Sequence, residues 1–187
     1  MIAAVLDACV LYSAPLRDLF MYLTVHFVFQ PKWTDRILAE WIENVLVQRP
    51  DLSRKALDRT RALMNRWAGD WQVPAHDQLI PTLVLPDPGD RHVLAAAVAG
   101  QVPLVVTFNL SDFPAEVLAV HGIRAAHPDD FASALFDDTP EPFLQAVRTH
   151  RAALRNPPRS ADEYLATLSK CGLCRTAERL TEHHGGL

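Results

Sequence analysis

Four carboxylates, Asp7, Glu40, Asp90 and Asp112, stand where a fold can gather them, and Asp87 lies close to the third. Asp7 ends the apolar run Ile2 to Leu6. Asp90 follows the chain break at Pro88 and Gly89 and opens the small-residue run Val93 to Ala99. Asp112 closes the polar turn from Asn109 that follows Leu104 to Val106 and Thr107. Gathered carboxylates repel one another, so four of them without a nearby lysine are costly unless a hard cation neutralises them. An all-oxygen set suits Mg2+ or Mn2+. A site of that kind activates water and stabilises the charge that develops on a phosphodiester during in-line displacement.

The elements that must position these acids alternate between strand and helix. Ile2 to Leu6 is apolar without alternation, the pattern of a parallel strand buried on both faces. Asp7 at its end has a plain alternative role, hydrogen-bonding the following turn. Leu16, Leu19, Phe20 and Leu23 recur at helical spacing and predict a helix from Pro15 to about Val25. Phe27 to Phe29 reads as a second strand, stopped before Pro31. Thr34 or Asp35 caps the next helix, whose buried stripe is Ile37, Leu38, Trp41, Ile42 and Val45. Glu40 falls beside that stripe, with Glu43 less than a turn away, and a solvated helical Glu is the ordinary reading of either. From Pro50 to Trp71 a helix carries Arg54, Lys55, Arg59, Arg61 and Arg66, a face that is either solvated or a guide for a phosphate backbone or a partner protein. Val73 to Pro86 is a long connection. Val93 to Ala99 is a helix packed tightly on a sheet, and Leu104 to Val106 a short buried strand. In open α/β sheets ligands collect at the loops after the carboxyl ends of the strands, where Asp7 and Asp112 lie.

The chain's 187 residues, 49% of them hydrophobic, supply one core with an extension. The net charge of -4 gives no blanket attraction to nucleic acid. Cys9, Cys171 and Cys174 are an odd set in a chain with no basic stretch ahead of Ile2, so the expectation is a soluble, cytoplasmic protein with reduced thiols and no membrane span.

The segments VLDACVLYSAPLRDLF, ILAEWIENV, DPGDRHVLAAA and VVTFNLSDFP occur in the order found in PIN-domain nucleases. Over about residues 1–131 the chain resembles that family, and within it the VapC-like toxin ribonucleases of type II toxin–antitoxin pairs. The resemblance implies a three-layer α/β/α fold around a central parallel sheet, with Leu104 to Val106 as its fourth strand, Ile123 to Ala126 as its fifth and a last helix near Pro128 to Phe136. It implies an acidic pocket of Asp7, Glu40, Asp90 and Asp112, with Thr107 and Asn109 as the polar pair that positions phosphate or ligands. It also implies Mg2+- or Mn2+-dependent cleavage of RNA, a small antitoxin partner and a homodimer.

The division expected is a PIN-like nuclease domain over residues 1–138 and a helical C-terminal extension over 139–187, which the simplest toxins lack. Thr139 and Pro140 open one helix there, Pro157 and Pro158 break it, Ser160 to Glu163 has the form of a capping box, and Thr176 to His183 adds a further helix. The extension reads as a lid, an antitoxin platform or a dimer arm. Cys171, Cys174, His183 and His184 can be drawn as a zinc site, although their spacing is not that of zinc fingers and packing cysteines are the better reading. Arg148, Arg151, Arg155 and Arg159 form a basic stripe that contacts RNA or an acidic partner, or is simply solvated. Three other functions are weighed: a catalytically silent PIN-like binding module, a PIN nuclease of RNA processing without an antitoxin, and a phosphatase or receiver-type α/β protein. Against the last, Asp7-Ala8-Cys9 lacks a second Asp, and no lysine follows Leu104 to Val106.

Overall fold

The computed structural model describes residues 1–73 and 76–187. A four-stranded parallel sheet lies at its centre, made of β1 (Ile2–Leu6), β2 (Phe29–Lys32), β3 (Leu104–Val106) and β4 (Arg124–Ala126) in the spatial order β2-β1-β3-β4. The chain passes from β1 outward to β2, then back across β1 to β3 and on to β4. Right-handed crossovers in these two directions put helices on opposite faces of the sheet, which gives the α/β/α layering. Helices α1 (Ala8–Tyr12) and α2 (Ala14–Val25) fill the first crossover. The second holds α3 (Asp35–Gln48), α4 (Arg54–Ala68) and α5 (Arg91–Ala99), and α6 (Ala115–Ala119) lies between β3 and β4. Val5, Leu6, Val105 and Val106 are fully buried, as a two-sided parallel strand requires.

The strands implied as fourth and fifth are thus the third and fourth, because the sheet has four strands among the described residues. The second strand begins later than its apolar residues suggest. His26 and Phe27 leave α2 in a left-handed turn, with Phe27 at φ 58°, and the Val28 N–H returns to the Leu23 carbonyl at 2.9 Å. This helix-ending turn uses up Phe27 and Val28, so pairing starts at Phe29. Pro31 then lies inside the strand opposite Ala4, which is permitted because β2 is the sheet's edge and needs no N–H on its outer side. The long connection after α4 includes Pro74 and Ala75, which lie outside the described residues.

Helix α3 starts as its sequence indicates, with the Thr34 hydroxyl accepting from the Ile37 N–H at 3.2 Å. Its apolar stripe is buried, and Trp41 is fully enclosed. On α4, Arg54 pairs with Glu43 at 2.6 Å and Arg61 with Asp35 at 2.5 Å, so this basic face is partly knit to α3. Rings of Phe20, Phe29 and Phe131 meet at centroid separations of 5.2 to 6.0 Å and join α2, β2 and the helix over Pro128–Asp138 in one core.

The extension is helical and docked. Helices α7 (Pro128–Asp138), α8 (Pro140–Ala153), α9 (Ala161–Lys170) and α10 (Cys174–Thr181) follow β4. Ser160 and Glu163 form the reciprocal capping box at the start of α9. Asp129, in the first turn of α7, accepts the Arg175 and Thr176 backbone N–H groups at 2.8 and 2.9 Å and the Thr176 hydroxyl at 2.7 Å. It thereby satisfies the open N-terminal donors of α10 from a helix 46 residues away in sequence. Tyr164 of α9 meets His150 of α8 at 2.9 Å inside the core, and burial pushes the His150 imidazole down to about 4. Two arginines of the basic stripe are engaged with the chain's own end: Arg148 donates to the Gly186 carbonyl and Arg151 to the Leu187 carbonyl. No helix among the described residues is long and apolar enough to cross a membrane.

Candidate active site

The carboxyl ends of β1 and β3 lie side by side, since Leu6 pairs with Val106 and the Asp7 N–H reaches the Val106 carbonyl at 3.1 Å. Asp7 is therefore held at the sheet edge by backbone pairing, 3% exposed. Its carboxylate does not cap α1. Instead Oδ2 accepts the Thr107 hydroxyl at 2.7 Å and the Cys9 thiol at 3.1 Å. Thr107 Oγ1 in turn accepts the Asn109 N–H at 3.0 Å, which bends the chain after β3 toward Asp7. Asn109 is exposed at the rim. Asp112 sits in the short 3-10 turn Leu110–Asp112, its N–H on the Asn109 carbonyl at 3.0 Å.

The other two acids arrive from helices on the same edge. Asp87 accepts the Gly89 N–H at 2.7 Å and folds residues 87–90 into a 3-10 turn that leads directly into α5 with Asp90 at its start. The Asp90 carboxyl is pushed up to about 6, first by burial and then by the charges of Asp7, Asp87, Asp112 and Glu40. All four of those charges are negative. The structure thus brings Asp7, Glu40, Asp90 and Asp112 into one electrostatic neighbourhood, with Asp87 as a fifth member. No three His, Cys, Asp or Glu side chains among the described residues form a ready metal-holding group.

Two neighbours of the acids, Cys9 and His92, have a signal in the sequence that does not by itself mark them as part of the site. Cys9 lies in the motif that contains Asp7, and its thiol contacts both Asp7 and, at 3.4 Å, the Thr107 hydroxyl. Burial, and next the Asp7 charge, push that thiol up to about 12, so it remains protonated and serves Asp7 as a donor. His92 follows Asp90 by two residues and is 2% exposed. Its Nδ1 lies 2.7 Å from the Gly89 carbonyl, and because a carbonyl can only accept, Nδ1 is the donor. Nε2 stands 3.1 Å from Glu40 Oε2, at ion-pair distance for a protonated ring but not aligned as a hydrogen bond. The imidazole therefore joins the Asp87–Asp90 turn to α3. Replacing it in His92→Leu leaves the Gly89 carbonyl and the Glu40 carboxylate without this neighbour and lowers stability by about 1–3 kcal/mol. A urea melt with an unchanged midpoint would show that His92 only fills space.

The tail cysteines are separate from this chemistry. Cys171 accepts the Ser13 hydroxyl at 3.1 Å, Cys174 is exposed, His183 packs on the Phe136 ring, and His184 pairs with Asp162 at 2.9 Å.

A parallel sheet in the order 2-1-3-4 with acids gathered at its carboxyl edge defines a class, and comparison with known families agrees with it. A PIN domain model matches residues 3–111, more than half of the chain, and the chain belongs to the PIN-domain family. A second model, described as the VapC50 C-terminal domain, matches residues 128–182, from the start of α7. A stretch of 42 residues is 55% identical to the protein named "Putative ribonuclease VapC50" of Mycobacterium tuberculosis (strain ATCC 25618 / H37Rv), covering 22% of this chain and 25% of that protein. The chain therefore spans about a quarter of the length of the curated relative it matches. No solved structure matches at a significant level.

Proposed function

We propose that the chain is a divalent-metal-dependent endoribonuclease that hydrolyses RNA phosphodiester bonds, acting as the toxin of a type II toxin–antitoxin pair. Residues 1–138 form its catalytic unit and 139–187 its extension. The observation that carries the reading is the field at Asp90, where four further carboxylates act on one carboxyl at the carboxyl edge of a PIN-family sheet. Burial first and then like-charge repulsion raise Asp90; the donors are all hard oxygens and a cation relieves the repulsion, so Mg2+ or Mn2+ fits the set. Once bound, such an ion supplies an activated water and charge stabilisation at the phosphate.

The chain's own groups divide the remaining work. Asp7, Asp90 and Asp112 hold the ion, directly or through water, and Glu40 completes the set or orients the attacking water. The Thr107 hydroxyl keeps the Asp7 carboxylate turned to the site, and Asn109, exposed at the rim, positions the phosphate. Lys55, Arg59 and Arg66 of α4 make no ion pair among the described residues and offer cations to an RNA backbone or to an acidic partner. A cavity of about 350 Å3 between α2, α4 and α8 and another of about 470 Å3 between α1, α2, α3 and α4 share Arg17 and Thr60. With Leu63 and Trp67 half exposed along the first, they suit an apolar antitoxin segment with acidic flanks.

The experiment is RNA cleavage by the full chain with Mn2+, with chelator, and with the product of any adjoining small reading frame. Cleavage that requires the metal and stops with the small protein supports both parts of the reading. Metal-independent cleavage contradicts the chemistry, and metal-dependent cleavage with no inhibiting neighbour favours a nuclease of RNA processing. The silent-module reading has one observation in its favour, the absence of a closed three-ligand group among the described residues. An intact chain that cleaves no RNA with Mn2+ would select it.

A further inference from the structure

The turn between α9 and α10, part of the extension, presses on the loop that carries Thr107 and Asn109. Gly172 lies in that turn at φ 91°, and a Cβ built on it would stand 2.8 Å from Phe108 Cε1 and 3.3 Å from Cζ. Only a glycine permits this approach of backbone to ring. Its neighbour Cys171 accepts the Ser13 hydroxyl at the junction of α1 and α2, so the turn is seated on the catalytic unit at two places.

Phe108 is tied to the acids on its other side. Its backbone N–H donates to Cys9 Sγ at 3.4 Å, and Cys9 donates to Asp7. The residue before it supplies the hydroxyl on Asp7, and the residue after it donates its N–H to that hydroxyl. The Phe108 ring meets His127 edge-on at 5.1 Å, and His127 caps α7 by accepting the Asp129 N–H at 3.2 Å. Asp129 holds the start of α10, which closes the circuit from turn to loop to helix and back to the turn.

We propose that the Cys171–Leu173 turn is a positioning element of the active site, acting through the contact of Gly172 with Phe108 to fix the Thr107–Asn109 loop against Asp7. The inference rests on the active-site reading for its functional meaning, but the mechanical link stands on the contacts alone. The turn is a wall behind the loop, tied toward Asp7 through Phe108 and seated on the α1–α2 junction through Ser13.

A double-mutant cycle in the full chain tests it, with Gly172→Ala, Phe108→Leu and the pair. Two quantities are read: amide hydrogen exchange at Asn109 in protein free of metal and RNA, and kcat with KM for RNA cleavage with Mn2+. Gly172→Ala is expected to speed Asn109 exchange and to lower kcat by about tenfold each, with KM unchanged, because the loop is displaced rather than the RNA contacts removed. In the Phe108→Leu background the same substitution is expected to change either quantity by less than about twofold, since the ring end it collides with is gone. The strain of Ala at φ 91° lowers Tm in both backgrounds, so a purely structural role predicts equal losses in both. Additive effects, or wild-type exchange and turnover in Gly172→Ala, overturn the proposal. If Gly172→Ala does not fold, Phe108→Leu alone decides: faster Asn109 exchange supports the link and unchanged exchange overturns it. Because exchange needs neither metal nor RNA, the link is tested even in a chain that cleaves nothing. Normal cleavage with an additive cycle removes the link and leaves the active site standing.

Discussion

Asp7→Asn is expected to reduce RNA cleavage by about a thousandfold while leaving the melting temperature unchanged or raised. Both halves follow from where Asp7 sits. The residue is 3% exposed at the end of β1, and its carboxylate is one of the charges that act on Asp90. Asn keeps an oxygen that can accept the Thr107 hydroxyl, so the loop after β3 retains its tie. What is lost is one negative charge from a crowded group, which relieves repulsion in the metal-free protein and removes a ligand from the loaded one. Cleavage rates and thermal melts on one preparation give both numbers. Retained metal-dependent cleavage would remove Asp7 from the chemistry, and a large drop in melting temperature would make it a structural residue.

Asp90 gives the second large effect, a stabilisation by divalent metal that is large at neutral pH and small at acid pH. Its carboxyl is raised from 3.8 to about 6 in the folded chain. The folded state therefore holds this proton more tightly than the unfolded one. The associated stability is present at acid pH, falls as pH rises from about 4 to about 6, and stays lost above that. Asp90→Asn should flatten that part of the pH curve. Above pH 6 a divalent ion at the proposed site is expected to take the place of the proton, adding about 2.7 kcal/mol at a hundred times its dissociation constant. For a chain of this size that is roughly 5–10 °C in melting temperature. Melts at pH 5 and pH 7.5, with and without Mg2+, should show a large shift at the higher pH and a small one at the lower. Equal shifts at both, or none, would contradict the shared site.

The sequence carried the acids at strand ends more clearly than the groups that hold them. A run of buried apolar residues ending in Asp7, and a short one running into Asn109 and Asp112, can be recognised without coordinates because burial and chain reversal are local properties. Glu40 is different. Nothing in its helix separates it from Glu43, which the structure pairs with Arg54, and only the resemblance to a family singles it out. Cys9 and His92 do not stand out in the sequence because a buried thiol and a lone histidine usually mean packing, and their partners lie across the fold. β2 is shifted because a helix-ending turn takes Phe27 and Val28, a feature that apolar pattern does not encode. The tail's helices are legible from Thr139, Pro140, Ser160 and Glu163. Their docking is not, since it depends on Asp129 capping α10 and on Gly172 meeting Phe108, contacts between residues far apart in the chain.

Asp7, Glu40, Asp90 and Asp112 are proposed to serve one divalent ion. Mn2+ titrated into the full chain and followed by electron paramagnetic resonance tests this most directly. One saturable class of site in the wild type, abolished by Asp7→Asn and by Asp90→Asn in chains that still melt cooperatively, is the predicted result. Binding that survives both substitutions, or no saturable binding at neutral pH, would contradict it.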